Sequence, residues 1–194
     1  MTMLKRLLAD ETGVTVVEFA IISPVLLVML MGIYDVGYQL YVGAVLQGAI
    51  QKAGRDSTIE GAALGAAAID QRIKDQVQRV LADGTYTFNR KAYATFSNIG
   101  KPEDFSDTNS NGVCDNKEPF EDVNGNGSWD TDRGKTGQGG AKDAVVYTVT
   151  VIYPRPLAVG GMLGLSKNIT LKTETVLRNQ PFGVQDLTKI LKKC

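Results

Sequence analysis

The chain has 194 residues, and its 21 basic and 21 acidic side chains give a formal net charge of zero. Because a balanced charge creates no broad positive field, we do not expect the protein to bind nucleic acid. The sequence contains no His, which removes the most common general base and the usual ligand of transition metals. An enzyme would therefore have to use carboxylates, Lys, Tyr or Cys.

A long apolar segment lies near the N-terminus, over residues 12–34, and Glu18 is its only residue that is charged at neutral pH. Residues 14–34 would form a helix of about 31 Å at ~1.5 Å per residue, which matches the ~30 Å hydrocarbon core of a bilayer. Two basic residues, Lys5 and Arg6, precede it, so the positive-inside rule places the leader in the cytoplasm. A secretory signal peptide is the alternative, but the apolar run is long for one and ends without a small-residue cleavage site.

Glu18 is unusual, because an unpaired carboxylate inside a membrane segment costs roughly 2.5 to 3.5 kcal/mol. It follows Gly13 by five residues and directly precedes Phe19. This G-x-x-x-x-E-F pattern resembles the processing site of type IV prepilins and pseudopilins, most closely those of the Tad/Flp branch. The resemblance implies that a prepilin peptidase cuts after the leader, residues 1–13, and that Glu18 pairs with the new Val14 amino group of a neighbouring subunit. Alternatively, Glu18 lies at the headgroup level of an uncut anchor.

The resemblance extends beyond the processing site. The N-terminal signature of TadE-like and TadG-like proteins is matched by Val17, Glu18, Phe19, Ala20, Pro24, Gly32 and Asp35. A second similar segment lies near the other end and contains Tyr153, Pro154, Pro156, Leu157, Arg178, Asn179, Pro181 and Phe182. The family more often has Glu where this chain has Gln180, so a role of that acid is not carried over.

The resemblance implies a TadE-like minor pseudopilin, a non-enzymatic subunit that supports assembly, initiation or capping of a Tad/Flp-type IV pilus. The implied partners are the major Flp-type pilin, other TadE/TadG-like subunits, a prepilin peptidase and the inner-membrane assembly platform. Such a subunit crosses the bilayer of the bacterial inner membrane once, with its N-terminus in the cytoplasm. Its C-terminal domain would lie in the periplasm or outside the cell, and incorporation into the pilus is left open.

Residues 35–84 show the three-and-four spacing of apolar side chains that is typical of helices. We expect a helical region outside the membrane, with a break at residues 54–61 and a second helix over residues 70–82. Asp83 and Gly84 then provide a stop signal. The sequence thus predicts that the membrane helix continues into a helical region outside the bilayer.

Segments rich in β-branched and aromatic residues predict three strands, over residues 85–99, 144–153 and 168–178. They would form a small antiparallel sheet domain within residues 85–182, on which the long N-terminal helix packs. This is an α+β fold, similar to that of pilins. We expect residues 132–143 to be flexible. In the tail, residues 183–194, we expect residues 186–194 to add a short amphipathic helix whose basic end is solvated.

Residues 104–134, between the first two predicted strands, contain a tandem repeat. With a period of fifteen, Phe105, Asp107, Asn109, Asn111, Gly112 and Asp115 recur as Phe120, Asp122, Asn124, Asn126, Gly127 and Asp130. The first copy fits the calcium-loop template D-x-[DN]-x-[DN]-G-x5-E, with Glu118 at the twelfth position. Calcium requires about six to eight oxygen ligands, which alternate residues can provide around a bend at Gly.

The expected calcium ligands are Asp107, Asn109, Asn111, Val113, Asp115 and Glu118 in the first loop, and Asp122, Asn124, Asn126, Ser128, Asp130 and Asp132 in the second. The second loop has Arg133 at its twelfth position, and this side chain cannot bind a cation. Asp130, Asp132 or Glu121 would then provide the closing carboxylate. The pair resembles the EF-hand-like and dockerin-like loops of bacterial extracellular modules, which implies one or two structural calcium ions. A flexible polar loop is the alternative, since Asn, Asp, Gly and Ser also form ordinary turns.

The two cysteines of the chain are Cys114 and Cys194. They cannot make a zinc site unaided. In an oxidising compartment they could form one disulfide, and otherwise they would be two unpaired thiols. The calcium loops also leave open one function of another class, an uncut, membrane-anchored, calcium-dependent adhesin or binding module.

Overall fold

The structure is a computed structural model, and it describes residues 13–60, 65–157, 159–162, 164–179, 188 and 190–194. The contacts divide the chain into two compact units. One unit contains Met1–Tyr41 and Pro154–Ile169, and the other contains Val42–Tyr153 and Thr170–Cys194. The first unit therefore contains the apolar part of the N-terminal helix, and the second contains most of the sheet and the whole insert.

The N-terminal segment forms one helix of 47 residues, α1, over Val14–Glu60. The helix contains Pro24 in its interior, and it continues beyond residue 54, where the sequence predicts the break to begin. Gly54 packs closely against strand residue Leu177, because a Cβ on this glycine would lie only 2.8 Å from Leu177 Cδ2. This glycine is therefore a position of close packing and does not end the helix.

The surroundings of the α1 side chains change at Val42. Between Val14 and Tyr41 most large apolar side chains are exposed, and Val25 reaches 73%. An 18-residue window with a mean hydropathy of 2.4 has none of its residues buried. Val42, Leu46 and Ile50, in contrast, are completely buried. The first part of α1 is thus long and apolar enough to cross a membrane, and residues 42–53 contribute to the core of the second unit.

A second helix, α2, spans Ala66–Gln78 and buries Ile69, Ile73 and Val77. It begins earlier than predicted and ends before residue 82. At its end the Val80 N–H donates to the Val77 carbonyl three residues back, which tightens the last turn, and the Leu81 N–H donates to the same carbonyl. Residues 61–64, which precede α2, lie outside the described part of the chain.

The main sheet has four strands in the order β3-β1-β4-β5. Their bounds are Thr85–Tyr93 for β1, Lys135–Thr136 for β3, Ala144–Pro154 for β4 and Asn168–Arg178 for β5. Strand β1 pairs antiparallel with β4 along its whole length. Alternate residues of β4 face the core, and Tyr147, Val149, Val151 and Tyr153 are almost completely buried. The predicted α+β fold, with a long apolar helix and a small antiparallel sheet, is confirmed.

Two predicted segments differ from the structure. The first strand ends at Tyr93, and a short 3-10 helix over Phe96–Asn98 follows where the strand was expected to continue. The prediction of flexibility for residues 132–143 is wrong in part, because β3 pairs with β1 and the Gly137 N–H donates to the Arg90 carbonyl at 3.0 Å. Between β4 and β5, a short helix, α3, spans Val159–Met162.

A second sheet pairs the insert with the C-terminal tail. Strand β2, Pro119–Glu121, pairs antiparallel with β6, Leu191–Lys193. The prediction of a helical tail is therefore wrong for these residues, because their backbone groups find partners in a distant strand. Their side chains are exposed, as expected of a solvated tail. Gln180, Pro181 and Phe182, which belong to the predicted closing segment, lie outside the described residues.

Candidate functional site

The predicted processing site lies at the start of α1. Gly13 precedes the helix, and Val14 is its first residue. Glu18 follows one helical turn later, and residues at this spacing share one face. Glu18 and Phe19 are both exposed. An amino group at Val14 and the Glu18 carboxylate would therefore stand one turn apart on an exposed face of the helix, and residues 1–12 are outside the described chain.

Asp35, the acid that closes the predicted membrane signature, connects α1 to the segment between β4 and β5. It forms a salt bridge with Arg155, and the side chains of Arg155 and Asp35 are only 16% and 15% exposed. Arg155 also donates from Nε to the Ser166 carbonyl at 2.7 Å, and its backbone N–H donates to the Lys167 carbonyl at 2.9 Å. Asp35 thus holds together the two parts of the first unit.

The two copies of the repeat have matching backbone conformations. Ser110 and Gly125 stand at the same position of the repeat, with φ angles of 60° and 79°. Gly112 and Gly127 likewise have φ angles of 76° and 82°. Such left-handed conformations favour glycine, and they produce the same bends in both loops. The insert therefore contains two loops of one kind.

In the first loop, Asp107 accepts a hydrogen bond from the Gly112 N–H at 2.8 Å. The side-chain oxygen of Asn109 accepts from the Asn111 N–H at 3.0 Å. The amide groups of Asn109 and Asn111 then donate to the two oxygens of Asp115, each at 3.0 Å. The polar side chains at the first, third, fifth and ninth positions are therefore joined in one network.

The second loop repeats this network. Asp122 accepts from the Gly127 N–H at 2.9 Å, and the Asn124 side-chain oxygen accepts from the Asn126 N–H at 3.0 Å. The amides of Asn124 and Asn126 donate to Asp130 Oδ2 at 2.7 and 2.6 Å. The structure thus brings together four of the predicted ligands in each loop.

Glu118 closes the first loop. Its Oε1 accepts from both the backbone N–H and the hydroxyl of Thr108, each at 2.7 Å, and its Oε2 accepts from the Asp115 N–H at 3.4 Å. The side chain is only 2% exposed. The Thr108 hydroxyl and backbone donors outweigh the desolvation, so the pKa of Glu118 is held below its ordinary value of 4.5. This carboxylate is therefore charged at neutral pH.

The second loop is closed by Glu103, a residue that the sequence analysis missed. Its Oε1 accepts from the backbone N–H groups of Val123 and Asn124 at 2.8 and 3.4 Å, and its Oε2 accepts from the Asp130 N–H at 3.1 Å. Only 1% of Glu103 is exposed. The signal for it was present, because Glu103 precedes Glu118 by fifteen residues, the period of the repeat. An alignment that begins at Phe105 stops two residues short of it.

Two other residues considered for the second loop have partners elsewhere. Asp132 accepts from Lys91 Nζ at 2.6 Å and from the Tyr93 hydroxyl at 2.8 Å. Burial opposes ionisation of Asp132, but these two donors outweigh it and hold its pKa below the ordinary value. Burial and the bond to Asp132 raise the pKa of Tyr93 to about 12. Arg133 donates to Asp104 at 2.6 Å, so its side chain is directed to that partner.

Aromatic residues hold the two loops against each other. Phe105 and Phe120 form an antiparallel bridge, and the Ser106 N–H donates to the Pro119 carbonyl at 2.9 Å. The rings of Phe105 and Trp129 meet edge to face, with centroids 5.5 Å apart, and Phe120 is 1% exposed. The loops are therefore packed around their own small core.

A disulfide joins the first loop to the tail. It links Cys114 to Cys194, whose Cα atoms are 5.7 Å apart. The Cys194 N–H donates to the Glu118 carbonyl at 3.0 Å, and the Asp122 N–H donates to the Ile190 carbonyl at 2.8 Å. The tail is thus attached to the insert by a covalent bond and by strand pairing.

The atoms of each loop that could bind a metal ion are oxygen atoms, which suit a hard cation such as calcium. Within the described residues, no group of three or more Cys, Asp or Glu side chains is placed to hold a metal ion by itself. A calcium site would therefore also need the Asn side-chain oxygens and the backbone carbonyl at the seventh position, Val113 or Ser128. The Asn amides direct nitrogen toward Asp115 and Asp130, so calcium binding requires them to rotate. With that rotation, the residues fit calcium.

Comparison with known proteins finds a family that resembles one part of the chain. Residues 13–55 match a family model described as TadE-like protein, a span that covers nearly all of α1. No curated protein and no solved structure matches the chain. TadE-like proteins are pilus components and are not known as enzymes. The chain is thus similar over residues 13–55 to TadE-like proteins, and this segment contains the apolar part of α1 that is long enough to cross a membrane.

Proposed function

We propose that this protein is a minor pseudopilin-like subunit that supports assembly, initiation or capping of a Tad/Flp-type IV pilus. The observation that carries this proposal is the TadE-like match over residues 13–55. Up to Tyr41, this region is also where α1 exposes its apolar side chains. The subunit would act through binding to other subunits and would have no catalytic activity. It would be held in the bacterial inner membrane and could enter the fibre.

The exposed part of α1 supports a position in the bilayer. Val17, Ile21 and Val25 are 60, 71 and 73% exposed, and apolar surface of this extent is unfavourable in water at about 25 cal/mol per Å². Lipid, or the apolar helices of other pilus subunits, would cover it. The disulfide between Cys114 and Cys194 supports an oxidising compartment for the second unit, in agreement with a cytoplasmic N-terminus.

Glu18 would then align subunits. A prepilin peptidase would cut between Gly13 and Val14, and the new amino group would pair with Glu18 of a neighbouring subunit. Pairing would offset the cost of placing a carboxylate in the apolar layer. The major Flp-type pilin, other TadE/TadG-like subunits and the assembly platform are the expected partners.

A pull-down from membranes tests this function. The full-length protein, tagged and isolated from cells that make the pilus, is expected to recover the major pilin and the assembly platform. Glu18→Gln removes the charge with little change in size and should reduce recovery, whereas Ser23→Ala, a control on the same helix, should not. Failure of the wild-type protein to recover any pilus component would contradict the proposed function.

We also propose that the insert binds one or two calcium ions as a structural clasp. The first ion would be held by Asp107, Asn109, Asn111, the Val113 carbonyl, Asp115 and Glu118. The second ion would be held by Asp122, Asn124, Asn126, the Ser128 carbonyl and Asp130, with Glu103 in the closing position. The network that both loops repeat supports this assignment. Every proposed ligand can also offer an oxygen atom, which calcium prefers.

Thermal unfolding of the full chain in detergent micelles tests calcium binding. If the dissociation constants are on the order of 0.1 to 1 mM, about 2 mM calcium should stabilise the protein by roughly 0.6 to 1.8 kcal/mol per ion. Excess chelator should abolish the effect. Asp107→Asn combined with Asp122→Asn should also abolish it, and Glu174→Gln, a matched change on β5, should not. An unfolding temperature of the wild type that calcium leaves unchanged would contradict calcium binding.

A further inference from the structure

The two repeats exchange their glutamates. Each repeat begins with a glutamate four residues before the first aspartate of its loop, Glu103 before Asp107 and Glu118 before Asp122. With the repeat boundary placed before each glutamate, Glu118, the twelfth residue of the first loop, belongs to the second repeat, and neither glutamate closes the loop of its own repeat. Glu118 accepts its hydrogen bonds from the first loop, and Glu103 accepts its bonds from the second.

Two of the three contacts in each set are equivalent; the third comes from the Thr108 hydroxyl in the first loop and from the Asn124 N–H in the second. In each loop, one glutamate oxygen accepts from the backbone N–H of the residue after the first aspartate, Thr108 at 2.7 Å or Val123 at 2.8 Å. The other oxygen accepts from the N–H of the last aspartate, Asp115 at 3.4 Å or Asp130 at 3.1 Å. The contacts therefore follow one rule, although one glutamate reaches forward along the sequence and the other reaches back.

The pattern of glutamates ends after two repeats. The residue fifteen positions after Glu118 is Arg133, which cannot close a loop and donates to Asp104 at 2.6 Å. The first repeat therefore closes the last loop through Glu103. Each loop depends on the other repeat for three hydrogen bonds to a buried carboxylate.

The backbone carbonyls of the two glutamates add further contacts. The Glu103 carbonyl accepts from Trp129 Nε1 at 2.8 Å, and the Glu118 carbonyl accepts from the Cys194 N–H at 3.0 Å. Trp129 and Cys114, the disulfide partner of Cys194, occupy the same position of the repeat. Glu103 is thus held at its side chain and its backbone by the second loop. Glu118 is held at its side chain by the first loop and at its backbone by the tail residue that is disulfide-bonded to that loop.

We propose that the two loops open and close as one unit, because each is closed by a glutamate of the other repeat. A change that frees Glu103 opens the second loop directly, and it opens the first loop because Glu118 leaves with the second repeat. This coupling needs no metal ion. Where it is combined with the proposed calcium sites, on which this one consequence rests, it makes the binding of two ions cooperative.

Amide hydrogen exchange of the full chain in micelles, with chelator present, tests the coupling. Glu103→Gln keeps the size of the side chain but replaces one acceptor oxygen with an NH2 group. We expect the amides of Val123 and Asp130 to exchange faster by about tenfold or more, and those of Thr108 and Asp115 to follow. Glu118→Gln should give the same pattern, since the dependence is mutual. The matched control, Glu174→Gln, should leave all four amides unchanged.

Two results of the hydrogen-exchange experiment would contradict the coupling of the loops. Faster exchange confined to Val123 and Asp130 in Glu103→Gln would contradict the coupling. Equal loss of protection at Val149 in β4 would also contradict it, because the loops would then belong to the unit formed by the sheet. A calcium titration separates this inference from the proposed function. If 2 mM calcium chloride leaves the unfolding temperature of the wild-type protein unchanged, but the amides of the two loops still exchange together, the calcium sites are contradicted and the coupling is not.

Discussion

Cys194 is joined by a disulfide to Cys114, and the two residues are separated by 80 positions in the sequence. A cross-link over a loop of this length removes much conformational freedom from the unfolded chain, which the loop-entropy description values at about 4.5 kcal/mol. Replacing both residues with Ser should therefore lower the free energy of unfolding by roughly 2 to 4 kcal/mol. Urea titration of the variant and the wild type, both in micelles, measures this difference. An unchanged midpoint and slope would show that the disulfide does not stabilise the fold.

Asp70 connects α2 to the sheet through two side chains. It accepts from the Tyr147 hydroxyl and forms a salt bridge with Arg90, whose guanidinium lies 4.3 Å from the Tyr147 ring centre. Burial and the bond to Asp70 raise the pKa of Tyr147, which keeps the phenol neutral. Asp70→Asn should destabilise the protein by about 2 kcal/mol or more, because it leaves the Arg90 charge without its partner.

Asp75→Asn is a matched control on the same helix. Asp75 accepts a hydrogen bond from Gln71 at an exposed position, so its replacement should cost about 0.5 kcal/mol or less. Equal losses of stability in the two variants would contradict the assigned role of Asp70. Tyr147→Phe provides a second check and should cost about 1 kcal/mol.

Stability should fall on acidification, because several carboxyl groups have lowered pKa values in the folded state. The Thr108 donors lower the pKa of Glu118, and the Lys172 and Thr148 side chains lower that of Glu174. A lowered pKa stabilises the folded state above the unfolded-state pKa, 4.5 for both groups. That stabilisation is lost as the pH falls below this value. Urea titrations at pH 7, 5, 4 and 3 should show little change between the first two and a progressive loss thereafter.

Salt separates the contributions of these groups. Lys172 and Glu174 are 62 and 51% exposed, so added salt should screen their interaction. Glu118 is bonded inside the loop to uncharged donors, and its contribution should be nearly independent of salt. A free energy of unfolding that stays constant down to pH 3 would contradict the lowered pKa values.

The sequence predicts the regular elements well where a local pattern is long. The alternation over residues 168–178 predicts β5 with the bounds that the structure has, and the apolar run predicts α1. It predicts the end of α1 poorly, because Gly54 looks like a helix terminator in isolation. Only the packing against Leu177 shows why a residue without a side chain is favoured there inside a helix.

The features that the sequence did not predict share a physical cause, which is contact between segments that are distant in the sequence. Residues 191–193 give no local signal for a strand, and they form one because β2 and the disulfide hold them. Glu103 was missed for a related reason, since it lies before the first loop in sequence but closes the second. Its place in the repeat period was the only local evidence, and the contact itself spans more than twenty residues.

Intact mass of the protein recovered from membranes of cells that make the pilus tests the central claim most directly. We expect a chain that begins at Val14, as the pseudopilin proposal requires. Gly13→Leu should block the cut, whereas Gly37→Leu should not, and no neighbouring atom would meet a Cβ at either position. A wild-type chain that retains its initial Met and the whole leader would contradict pseudopilin processing and would favour an uncut, membrane-anchored binding protein.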